Sequence, residues 1–203
     1  MQITPSLKLA FPIRFGDVQR PDPADSTKTV TLSEPLVWAY HTPISTEVFR
    51  ANYRIIAATK AALFAKGRAF VAVAGSSIAA LTLSDAARAD AAELGIEDAS
   101  SSFLAELKRL TLILAPSKDG FEQVPVDVAL SRNVIDSDDW GEAESAIVFF
   151  TSVYALERRA NRQTMGTSLA LMIGGSMTLL GPTEYLASLQ TSTAPETSDK
   201  PTQ

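Results

Sequence analysis

The chain has 203 residues, no cysteine, one histidine (His41) and a formal net charge of −5. A chain of this length buries roughly 70% of the surface it exposes when unfolded, so it needs no disulfide or metal staple. The missing cysteines exclude thiol nucleophiles, Cys-ligated zinc and iron–sulfur clusters, the lone histidine excludes a multi-histidine metal centre, and the acidic balance argues against a nucleic-acid partner.

Residues 6–15, SLKLAFPIRF, place Leu7, Leu9, Phe11 and Ile13 on one parity, the period of a half-buried strand, while Pro12 points to an edge position or a bulge. Residues 16–28 are loop-like in composition. Residues 29–40 form a second extended segment in which Val37, Trp38 and Tyr40 favour strand, so the two segments predict a hairpin with a long loop. The N-terminus lacks a secretory layout, because its apolar run is short, broken by Pro12 and followed by Arg14.

Beyond His41 the period changes to that of helices. Thr42 with Pro43, or Ser45 with Glu47, can open a helix, and Val48, Phe49, Asn52, Ile55, Ile56, Thr59, Leu63 and Phe64 continue it to about Lys66, where Gly67 closes it. Residues 68–92 predict an Ala-rich helix with a break or kink at Gly75-Ser76-Ser77. Phe103, Leu104, Leu107, Leu110 and Leu114 predict a third helix ending before Pro116. Residues 117–120 read as a turn. Residues 121–130 alternate, and Pro125 demotes them to an edge strand or extended loop.

A fourth helix is predicted with Ser137 as its cap, acids early, and Arg158, Arg159 and Arg162 late, an order that matches the helix dipole. Trp140, Ala143, Ile147, Phe150 and Tyr154 mark one face. A fifth helical region runs from about Thr164 to Leu180, ended by Gly181-Pro182, with a short helical piece from Thr183 to Leu189. The uncharged stretch Gln163–Thr183 is long enough to span a bilayer, but its polar residues, Gly174-Gly175 and Pro182 favour a helix buried in protein. Residues 191–203 have no large apolar side chain and predict a disordered tail. The expected architecture is mainly α (α+β): a helical bundle of about five helices (41–190), a small N-terminal β hairpin or edge-strand element (1–40), and the tail (191–203).

No chemistry-bearing motif emerges. His41 lacks a visible nucleophile and orienting carboxylate, and no Gly-x-Ser-x-Gly elbow or phosphate loop is present. Asp136, Asp138, Asp139, Glu142 and Glu144 lack the glycine turn and closing glutamate of a calcium loop, so they read as first-turn acids of a helix. The expectation is a non-enzymatic chain without cofactor or metal. Met165, Met172 and Met177 crowd one short stretch, as on adaptable binding surfaces or in a plain core.

Two segments, Leu36–Gly67 (LVWAYHTPISTEVFRANYRIIAATKAALFAKG) and Asp138–Gln190 (with DDWGEAESAIVFFTSVYALERRANR and GPTEYLASLQ), resemble tail assembly chaperones of long-tailed bacteriophages, or allied tail-morphogenesis proteins. The resemblance implies a helical protein of the host cytoplasm that is absent from the finished particle. It further implies coating and solubilising of the tape measure protein, recruitment of tail tube subunits, self-association along the client, and neither a nucleic-acid nor a membrane partner. A structural virion protein of the tail or neck is the alternative. The residues expected to meet a partner are Phe149, Phe150, Tyr154, Met172, Met177 and Leu180, which the sequence equally allows as core.

Overall fold

Strand alternation runs much further than a small hairpin requires. In the computed structural model, which describes residues 7–22, 25–117 and 120–193, β1 (Lys8–Asp22) and β2 (Asp25–His41) are 15 and 17 residues long. They pair antiparallel from Leu9 opposite His41 to Asp22 opposite Asp25, with register shifts around Pro12, Arg14 and Phe15. Proline lacks the ladder N–H, and the shifts lie beside it. Only the base of the hairpin joins a larger sheet. Lys8–Ala10 pairs with β5 (Ser176–Thr178), and Trp38–His41 pairs with β3 (Thr111–Ser117), itself bordered by β4 (Gly120–Pro125). The order is β4-β3-β2-β1-β5, all antiparallel. No described side chain from Phe15 to Leu36 is buried, so the outer hairpin is a solvated arm.

Eight helices are present among the described residues: α1 (Thr46–Ala51), α2 (Tyr53–Ala65), α3 (Arg68–Leu94), α4 (Ser100–Arg109), α5 (Val126–Ser131), α6 (Ser137–Tyr154), α7 (Arg162–Met172) and α8 (Pro182–Thr193). Every residue of α6 from Ser145 to Val153 is buried, the mark of a helix packed on all sides. By contrast α3 buries a narrow stripe of Val71, Gly75, Ala79, Leu83 and Ala87. Glycine is needed in that stripe, since a Cβ at position 75 would stand 3.0 Å from the Phe149 ring. The sheet divides its side chains by parity. Leu9, Phe11, Ala39 and Ile113 join the main core with these helices, while Ala10, Tyr40 and Leu114 form a second cluster with Tyr185 and Leu186 of α8.

The expected five-helix bundle with a small β element is therefore corrected to an α+β fold built on a five-stranded antiparallel sheet. The third predicted helix stops at Arg109, and Thr111–Ser117 is a strand. Leu107, Leu110 and Leu114 fit a helical period, but the short apolar run Thr111–Ala115 pairs with the edge of β2 as a strand, and that pairing prevails. The predicted break at Gly75 is absent: α3 runs uninterrupted from Arg68 to Leu94, and the glycine makes room for the Phe149 ring. The predicted fifth helix ends at Met172. Gly174 has φ +69°, and Gly175 lies so close to β1 that a Cβ there would stand 2.5 Å from the Ala10 carbonyl oxygen. Helix α6 ends at Tyr154, so Arg158 and Arg159 lie in a loop and Arg162 starts α7. Helix α8 continues through Thr193, whereas residues 194–203 of the expected disordered tail lie outside the described residues. The uncharged stretch 163–183 is divided among α7, β5 and α8. Among the described residues, the one helix long and apolar enough to cross a bilayer by length and composition is α3.

Candidate functional site

His41 ends β2 with no exposed surface. Its Nδ1 is 2.9 Å from Thr111 Oγ1. The Thr111 hydroxyl already donates to the Leu107 carbonyl at 2.8 Å, so Nδ1 carries the proton and Nε2 is left as a buried acceptor without a partner among the described residues. Burial, helped by the charge of Lys8, lowers its pKa to about 3. A neutral ring with no described carboxylate in ion-pair range lacks the orienting group of a general base.

The acidic cluster serves the fold. Asp136, rather than the expected Ser137, caps α6: its carboxylate accepts from the Asp138 and Asp139 backbone N–H groups, and Asp139 returns the bond to the Asp136 N–H. A carboxylate accepts from two donors at once and outcompetes a hydroxyl here. Arg14 bridges both acids, at 3.0 and 2.5 Å, and donates to the Val134 carbonyl at 3.0 Å. It thereby ties the hairpin base to the start of α6. No group of residues suited to hold a metal ion occurs among the described residues.

The six residues expected to meet a partner fall into separate places. Phe150 is fully buried and stacks on Tyr154 with ring centroids 4.8 Å apart. Both line a cleft of about 270 Å³ beside Arg50, Thr151 and Arg162, whose guanidinium donates to the Glu157 and Ala155 carbonyls. Met177 packs beneath Gly166 against the main core. Leu180 exposes its side chain, while its carbonyl accepts from the Tyr40 hydroxyl at 2.5 Å. Phe149 and Met172 share a second surface feature. Phe149 forms the floor and Met172 the rim of an apolar groove of about 320 Å³ between the α2–α3 corner and α7.

Val71, Val153, Met165 and Leu169 complete the walls of this groove, with Phe64 at its mouth and the cations Lys60 and Arg68 on its α2–α3 side. Phe64 and Met172 are 41% and 46% exposed. Lys60 and Arg68 form no ion pair among the described residues, although the charge of Lys60 helps lower the pKa of Glu157. The arrangement offers an apolar slot bordered by cations. Sequence reasoning passed over Lys60 and Arg68 and placed Phe64 in the apolar stripe of the helix with Ile56, Thr59 and Leu63, whereas Phe64 is exposed. The available signal was that Leu63 and Phe64 are adjacent and cannot share one narrow face, next to the Lys66-Gly67-Arg68 turn. The chain matches no family model, no curated protein and no solved structure.

Proposed function

We propose that this chain is a non-enzymatic phage tail assembly chaperone that acts in the host cytoplasm, receives an amphipathic helix of the tape measure protein in the α2–α3–α7 groove and helps recruit tail tube subunits. The observation that carries the reading is the groove, an apolar slot with a cationic border, which suits one face of an amphipathic client helix. Covering Phe64 and Met172 contributes roughly 1–2 kcal/mol per side chain, enough in sum for a contact that tube polymerisation can displace. The resemblance of Leu36–Gly67 and Asp138–Gln190 to tail assembly chaperones supplies the client's identity; these segments contain α2 and the α6 and α7 walls of the groove.

Co-expression with the tape measure protein of the same genome tests the proposal. The expected result is a soluble, copurifying pair, with solubility lost for Met172→Asp. An insoluble client and a chaperone that elutes alone overturn it. The long solvated hairpin arm favours the second reading, a structural tail or neck protein, because an unpaired two-stranded ribbon suits strand addition in a permanent assembly. That reading requires the chain in stoichiometric amounts in purified particles, measured by mass spectrometry.

A further inference from the structure

The two ends of α3 carry complementary chemistry. At its C-terminus Gly95 adopts φ +66°, and the Gly95 and Ile96 N–H groups both donate to the Ala91 carbonyl, a closed turn that holds Leu94 and Ile96 outward. These two side chains are 43% and 56% exposed. Glu93, Glu97 and Asp98 surround them. The nearby cations Arg54 and Arg88 are already paired with Asp90 and Asp85, so the corner is net negative. At the N-terminal end of α3 lies the apolar groove lined by Lys60 and Arg68, which form no ion pair among the described residues. Two aliphatic side chains ringed by acids thus face the chemistry of an apolar slot bordered by bases.

The 27 residues of α3 separate the two surfaces by about 40 Å at 1.5 Å per residue, so the corner cannot reach the groove of its own chain. We propose that the Leu94–Ile96 corner of one copy seats in the groove of a second copy, with Glu93 and Glu97 against Lys60 and Arg68. The contact is head-to-tail, so a pair of copies keeps one groove and one corner free between them, and association extends beyond the dimer. Its small area makes it concentration-dependent, and its charges make it salt-sensitive. A client helix and a second copy compete for the same groove, but the self-contact stands without any client.

Sedimentation velocity of the full chain alone, over a concentration series at low and high salt, tests this. The expected result is a mass that rises with concentration and falls with salt. K60E/R68E and E93K/E97K are each expected to associate at least tenfold more weakly, and their equimolar mixture to recover association, because the reversed groove matches the reversed corner. None of the four charged side chains is buried, and circular dichroism checks each fold. L94S/I96S supplies an independent loss through the apolar half of the contact. A wild-type chain that stays monomeric throughout overturns the proposal. So does association indifferent to both reversals, which would place the contact elsewhere, such as on the hairpin edge, or a mixture that fails to recover. Because no client is present, these outcomes are separate from the fate of the tape measure proposal.

Discussion

Replacing His41 with leucine is expected to remove much of the acid sensitivity of the fold. Burial, then the charge of Lys8, lowers the native imidazole to about 3 from its ordinary 6.5. Above pH 6.5 both native and unfolded chains hold the ring neutral, and the contribution to stability is intact. As the pH falls below 6.5, the unfolded chain binds a proton that the native state refuses. Stability is then lost at about 1.4 kcal/mol per pH unit until the native ring accepts the proton near the lowered value. Integrated from pH 7.5 to 4.5, the wild type should lose about 3 kcal/mol relative to His41→Leu. Other titrating groups, among them Asp136 and Glu34, are common to both proteins and cancel in the difference. The level at pH 7.5 is not the test, since the variant loses the Nδ1–Thr111 hydrogen bond while also removing the unpartnered Nε2. Urea unfolding followed by far-ultraviolet circular dichroism at several pH values in that window measures the difference directly. A gap between the two proteins that is the same at every pH would refute the reasoning, because the native core would then admit the charged ring.

Three further outcomes follow from the packing. Gly175→Ala sets a Cβ against the Ala10 carbonyl and Phe11, so it should cost about 1–3 kcal/mol and lower Tm by several degrees in a thermal melt. Phe149→Ala empties a core position and should cost about 3–5 kcal/mol, whereas Met172→Ser, at a half-exposed rim, should cost under about 1 kcal/mol yet weaken client rescue; equal costs in chemical unfolding would contradict this division of the groove into floor and rim. Removing Asp17–Ser33 and closing β1 to β2 with a short turn should leave Tm within a few degrees, since the excised arm buries no described side chain; a collapse of the melt would show that the arm supports the fold.

The helices around the core were legible because their periodicity is written locally. Ile55, Ile56, Thr59 and Leu63 recur at helical steps and are buried in α2, and the acids before Trp140 announced the start of α6. Strand starts were legible in the alternation of Leu9 and Phe11; of the edge strand or extended loop expected over 121–130, only the part up to Pro125 is strand, and Val126–Ser131 is a helix. Boundaries failed where two local patterns competed. Leu107, Leu110 and Leu114 satisfy a helix, Thr111–Ala115 is equally a short apolar run of strand length, and the choice lies with the edge of β2, some 70 residues earlier in the chain. Gly174-Gly175 reads as a flexible point in a helix until β1 is laid against it. The candidate site shows the same division. That Phe149, Phe150 and Met172 are apolar is a property of the sequence. That Phe150 is covered, while Phe149 floors an open groove and Met172 edges it, depends on where α2, α3 and α7 pack around α6. Periodicity is set by neighbours within a few residues, so the chain alone determined which segments bury an apolar face. Exposure is set by residues distant in sequence, so the tertiary structure alone decided which apolar faces are left bare and that Lys60 and Arg68 stand beside one of them.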